Sequence, residues 1–97
     1  MTDPKKLFSA TLQTTEQDIA IPAEEKWIIT DLWVVNYSAA EARVTIKHDN
    51  DILLPNVKVP AYEAIIVGSI VVAAGNTLKG ICSAATSVNV VGYGRVV

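Results

Sequence analysis

Four groups of residues in this 97-residue sequence have types and spacings that chemistry uses. The first is His48-Asp49-Asn50-Asp51, in which Asp49 and Asp51 open the alternating-oxygen pattern of a calcium loop. Such a loop also needs a glycine at its sharp bend and a distal glutamate to complete the shell. Neither is at the right place, so the stretch reads as a hairpin turn. The second is Cys82, in Lys79-Gly80-Ile81-Cys82-Ser83. A nucleophilic thiol wants a histidine to take its proton, and nothing in the sequence ties the single histidine to it. One cysteine also cannot close an intramolecular disulfide, so Cys82 reads as a small core residue. The third is the adjacent pair Glu24 and Glu25, which would point to opposite faces if extended and read as solvated groups. The fourth, Gly92-Tyr93-Gly94, looks like part of a phosphate loop, but no helix follows to supply an N-terminal dipole. These glycines fit a bend or a close chain approach instead. The expectation is a protein that is not an enzyme and needs no cofactor or metal.

Aromatic rings offer a different chemistry, stacking on sugars. Tyr37 and Tyr62 sit on turns where a ligand could reach, which makes them glycan-contact candidates. Trp27, Trp33 and Tyr93 lie within strands, where an aromatic side chain serves a core or an interface.

Charge removes other partners. The net charge is −2, and the 8 basic residues are dispersed, so no stripe exists to displace counterions from a phosphate backbone. Nucleic acid is not an expected partner. The longest apolar stretch, Ala64 to Ala74, is interrupted by Gly68-Ser69 and falls short of the roughly 20 residues that cross a bilayer. Leu7 to Leu12 lacks the apolar core of a signal peptide. A soluble product of the cytoplasm, with no membrane partner, is expected.

The positioning elements follow from composition. Hydrophobic residues make up 51% of the chain and charged residues 19%, and 13 Val and 10 Ile outnumber 6 Leu. Branching at Cβ stiffens χ1 and favours strands. No window sustains a helical apolar period, and turn signals recur about every 8–12 residues. The strands expected are Leu7–Leu12, Gln17–Ile21, Lys26–Asn36, Ala42–His48, the short pieces Ile52–Leu54 and Val57–Val59, Ala64–Val72, Thr77–Ser83 and Val88–Val97. Pro55 and Pro60 assign the short pieces to an edge or a bulge, and Gly68-Ser69 suggests a bend. The fold class is therefore all-β: a single-domain antiparallel two-sheet sandwich of about eight strands, jelly-roll-like or Greek-key. Residues 1–6 read as a flexible arm and 7–97 as the domain. A short echo, Pro22–Ile29 against Pro60–Val67, suits two similar halves.

Reading each strand by face exposes a surplus of apolar surface. Strict alternation puts Trp27, Ile29, Asp31, Trp33 and Val35 on one side, with Ile28, Thr30, Leu32 and Val34 on the other. The last strand places Val91, Tyr93 and Val97 opposite Val88, Val90 and Val96. A two-layer sandwich hides one face per sheet, and a contiguous apolar patch left outside marks an interface. Burying one Trp and two aliphatic side chains is worth roughly 5 kcal/mol, at about 25 cal/mol per Å². That is large beside the about 5–10 kcal/mol that stabilise such a domain. A homo-oligomer, trimer or dimer, follows, with Trp27, Trp33, Val35, Val91 and Tyr93 as interface candidates.

The order of turn phrases adds a resemblance. Ile21-Pro22-Ala23, then Asn36-Tyr37-Ser38-Ala39-Ala40, Val44-Thr45-Ile46, Val72-Ala73-Ala74-Gly75-Asn76-Thr77-Leu78 and Ser83-Ala84-Ala85-Thr86-Ser87-Val88-Asn89-Val90 follow one another along most of the chain. This resembles the small β-sandwich virion proteins of tailed bacteriophages, found as head decoration, neck, tail and fibre components. It departs from many of them in the short segment His48–Pro55, where longer insertions are common. The resemblance implies a location in the virion, synthesis in the host cytoplasm, and partners among other virion proteins such as a major capsid or tail protein. It implies symmetric self-association and docking on a virion lattice without catalysis; the first reading is capsid decoration or cementing, with Met1–Lys6 or an edge strand gripping the lattice. The alternative is a tail, fibre or carbohydrate-binding adhesion module using the exposed aromatics.

Overall fold

The computed structural model describes residues 5–22, 24–84 and 87–97. Met1–Pro4 of the expected arm, Ala23, and Ala85-Thr86 of the last turn lie outside the described residues. Eight strands follow in order: β1 (Lys5–Thr11), β2 (Gln17–Ala20), β3 (Trp27–Asn36), β4 (Ala42–His48), β5 (Asp51–Val59), β6 (Ala64–Val72), β7 (Leu78–Cys82) and β8 (Val88–Val96). They form two four-stranded antiparallel sheets, β1-β8-β3-β6 (sheet A) and β2-β7-β4-β5 (sheet B).

The pairings β1·β8, β2·β7, β3·β6 and β4·β5 are those of one long hairpin. Rolling that hairpin adds the contacts β8·β3 and β7·β4, which is the jelly-roll arrangement. Every connection except the β4–β5 hairpin therefore crosses from one sheet to the other. β1 starts two residues before the expected Leu7, with Lys5 opposite Gly94 and Lys6 opposite Tyr93. The pieces expected on either side of Pro55 are one edge strand, β5, with two register shifts against β4.

The core lies between the sheets, where alternate positions of every strand point inward. Leu12, Ile29, Leu32, Val34, Val44, Ile46, Val59, Val72, Leu78, Val88 and Val90 are fully buried. Small residues make room for large ones. A Cβ on Gly80 would lie 2.6 Å from the Leu12 methyl, and one on Gly92 would run into the Phe8 ring.

The crossing from β3 to β4 is built on Asn36, a fully buried polar side chain. Its Nδ2 donates to the carbonyls of Ala40 (2.8 Å) and Val59 (3.0 Å). Its Oδ1 accepts from the Ser38 amide (3.0 Å) and hydroxyl (2.8 Å). The backbone closes the same knot: Asn36 N–H donates to Glu63 O, Tyr37 N–H to Ser87 O, and Tyr62 N–H to Ser38 O. Three loops at one end of the sandwich thus converge on the Asn36-Tyr37-Ser38 phrase.

Candidate functional site

The outer faces of the two sheets differ in kind. Sheet B presents Asp18, Arg43, Thr45, Lys47 and Lys79, with Ile52 and Ile81 among them and Lys47 paired to Glu16 at 3.0 Å. Sheet A presents rows of apolar side chains. Trp33 lies between Val91 of β8 and Ile66 of β6, and Val35 lies between Asn89 and Ala64. Asp31 lies between Tyr93 and Gly68, and Ile28 between Arg95 and Val71. Large apolar groups here stay wet: Trp33 is 38% exposed, Tyr93 40%, Val71 52% and Ile66 54%. Asp31, Trp33, Val35, Val91 and Tyr93 line one shallow, open concavity of about 510 Å³.

Four of the five interface candidates, Trp33, Val35, Val91 and Tyr93, therefore share one surface. Trp27 does not join them. Against β8, the strand β3 carries one extra residue: Ile29 pairs with Gly94 and Asp31 with Tyr93, leaving Thr30 as a bulge. The bulge reverses the alternation. Trp27 and Ile29 point inward before it, and Asp31, Trp33 and Val35 point outward after it. Trp27 stacks on Phe8 inside the sandwich, centroids 6.0 Å apart and planes 7° from parallel. Its indole N–H has no hydrogen-bond partner among the described residues. Thr30 Oγ1 caps the distortion by donating to the Tyr93 carbonyl at 3.3 Å. β6 answers it at the same level with Ser69, at φ 61°, where the sequence suggests a bend. Ile28, Ile66 and Val71 complete the face and lie beyond the candidates that alternation alone picks out. Their signal in the sequence is Ile65-Ile66-Val67 and Val71-Val72, apolar on consecutive positions.

The glycan-contact candidates meet elsewhere. Tyr37 (46% exposed) and Tyr62 (72%) project from adjacent loops at the Asn36 end, because Tyr62 N–H bonds to Ser38 O at 3.2 Å. Tyr62 occupies the third position of the turn Pro60–Glu63, closed by Glu63 N–H to Pro60 O, at φ 57°. The turn Ala73–Asn76 has the same closure, with Gly75 at that position and φ 81°. A bulky side chain in the left-handed region costs about 1–2 kcal/mol. Tyr62→Gly is accordingly expected to raise stability by roughly 0.5 kcal/mol, once glycine's unfolded-state entropy is set against the relieved strain. Urea unfolding monitored by circular dichroism checks this.

The remaining chemistry-bearing residues are held apart. His48 and Asp49 open the β4–β5 hairpin and dock on the β6–β7 loop. His48 Nε2 lies 3.3 Å from Asn76 Nδ2, and Asp49 Oδ1 accepts from Thr77 N–H at 2.8 Å. Cys82 is buried, its thiol donating to Ala84 O at 2.9 Å. On the β4·β7 pair Cys82 lies opposite Val44 while His48 lies opposite Leu78, four residues and roughly 13 Å along the strands. Among the described residues no three His, Cys, Asp or Glu side chains converge as metal ligands. Glu24 and Glu25 are exposed on the β2–β3 loop. Gly92 and Gly94 face the core side of β8, where they admit Phe8 and the β3 backbone. No family model matches the sequence, and no curated protein or solved structure matches it.

Proposed function

We propose that this chain is a non-enzymatic structural protein of a virus particle, acting as a homo-oligomer that docks on other virion proteins in the manner of a bacteriophage capsid decoration or cement. One observation carries the self-association: the outer face of sheet A holds an exposed apolar patch around Trp33, with Lys6 and Arg95 at its margins, while the outer face of sheet B is largely charged and polar. The occupant is a second copy, because the concavity around Trp33 offers one charged group, Asp31, among rings and methyl groups and so has little with which to select a charged partner. What supports the virion location is the likeness of turn phrases to phage β-sandwich proteins, together with an architecture that recurs in viral capsid subunits.

The test places a charge on each face in turn. Trp33→Lys is expected to lower the molar mass seen by light scattering below that of the parent, while Thr45→Lys on sheet B leaves it unchanged. Both variants should keep the β-sheet circular dichroism of the parent. Equal behaviour of the two contradicts the assignment of the face. For the virion part, mass spectrometry of purified particles should find the chain in many copies; its absence from particles overturns that part.

The adhesion reading keeps one favouring observation, the exposed Tyr37 and Tyr62 on neighbouring loops with Tyr62 in a costly conformation. Under that reading, glycan binding disappears in Tyr37→Ala and Tyr62→Ala and persists in Trp33→Lys.

A further inference from the structure

A sheet edge offers a row of unpaired N–H and C=O groups to any passing strand, and folded proteins guard it with charge, proline or brevity. Three of the four edges here are guarded. β1 opens with Lys5-Lys6, β2 is four residues long and carries Asp18, and β5 carries Asp51, Pro55 and Lys58. β6 is different: nine residues, Ala-Ile-Ile-Val-Gly-Ser-Ile-Val-Val, without charge or proline. Its one irregularity is Ser69, so Ala64 to Gly68 run unbroken beside β3.

The ladder phase shows which groups face outward. Asn36 N–H donates to Glu63 O at 2.9 Å, and hydrogen-bonded pairs alternate along antiparallel strands. The Val34–Ile65 and Leu32–Val67 pairs therefore hold the bonds to β3. The N–H and C=O groups of Ala64, Ile66 and Gly68 point away from the sheet, and all three residues are exposed.

We propose that this edge is closed by β6 of a second copy, running antiparallel about a twofold axis at Ile66. The sequence is self-complementary about that point. Ala64 falls opposite the partner's Gly68, Ile65 opposite the partner's Val67, and Ile66 opposite the partner's Ile66. Small meets small and branched meets branched, which suits cross-strand packing. Centring on a residue keeps like faces together, so the two outer faces of sheet A join into one surface. This contact rests on the self-association reading above and adds to it an in-plane join, which extends the apolar face across two copies.

Sedimentation velocity on the full chain tests it with two substitutions at one position. Ile66→Val keeps the outward N–H and is expected to associate like the parent. Ile66→Pro removes that N–H while sparing the bonds to β3, and is expected to weaken association at least tenfold. Hydrogen exchange of the parent supplies a readout that does not depend on the proline variant folding. The Ile66 amide should be protected in the oligomer and exchange freely after dilution. A parent that is monomeric overturns both this contact and the reading beneath it. An associating parent whose Ile66 amide stays unprotected, or whose proline variant associates normally, overturns the edge contact alone. Open-ended growth overturns the closed twofold arrangement.

Discussion

Gly94→Ala is expected to destabilise the fold by about 3 kcal/mol, at the upper end for overpacking, and to lower the melting temperature by roughly 15 °C. The reason is the bulge at Thr30. The extra residue in β3 brings its backbone against β8, so a Cβ on Gly94 would fall on the Ile28 carbonyl and lie 2.9 Å from Ile29 Cα. A clash with a flexible side chain is relieved by rotation. A clash with the backbone of a central strand is relieved only by moving β3 or β8, and both are paired on two sides. Gly75→Ala is the control. Gly75 has φ 81° and nothing within 4 Å of the place an added methyl would take, so its cost is conformational alone, about 1 kcal/mol. Thermal unfolding of the two variants side by side measures the difference. Similar losses would mean that β8 slides freely beneath β3, and the bulge would then have no role in setting Trp27 and Trp33 on opposite faces.

The second large effect is expected at Asn36. Asn36→Ala removes two donated and two accepted hydrogen bonds from a fully buried group and leaves the Ala40 and Val59 carbonyls without that donor. The exposed Ala40 carbonyl keeps the Ser38 hydroxyl at 2.9 Å, but the Val59 carbonyl is stranded in the core. A stranded buried acceptor costs about 1–3 kcal/mol, so with the other lost bonds a loss of roughly 2 kcal/mol is expected. Asn36→Asp separates hydrogen bonding from volume. It keeps the shape but turns an acceptor oxygen toward two carbonyls, and should be at least as damaging as alanine. Chemical denaturation of both variants decides this. If Asn36→Asp were tolerated while Asn36→Ala unfolded, packing rather than hydrogen bonding would hold the three loops together.

These two positions show what the sequence makes legible. Strand number, the boundaries of β4 and β6, and the edge character of the Pro55 segment follow from alternation, β-branching and proline. The apolar surplus also follows, since Val91, Tyr93, Trp33 and Val35 can be read as facing one way. The position of Trp27 cannot be read in this way. Alternation carries a phase, and a single inserted residue at Thr30 inverts it for everything upstream; threonine is an ordinary strand residue and announces no bulge. The partner features are glycines far along the chain, Gly68 and Gly94, whose meaning appears only when β6 and β8 flank β3. Asn36 is similar. Its turn phrase stands out locally, but Val59 and Glu63 reach it through the β5–β6 crossing, which only the rolled topology brings near.

The face contact depends on one claim, that the outer face of sheet A is covered by another copy. Trp33 can report on it directly. Trp27→Phe preserves the stack on Phe8, removes an indole N–H that has no partner among the described residues, and leaves Trp33 as the single tryptophan. At tens of micromolar the emission of this variant is expected at the short wavelengths of a water-excluded indole, shifting to longer wavelength on dilution as the oligomer dissociates. Emission typical of a wet indole at every concentration, from a species of 10.4 kDa, would contradict the account.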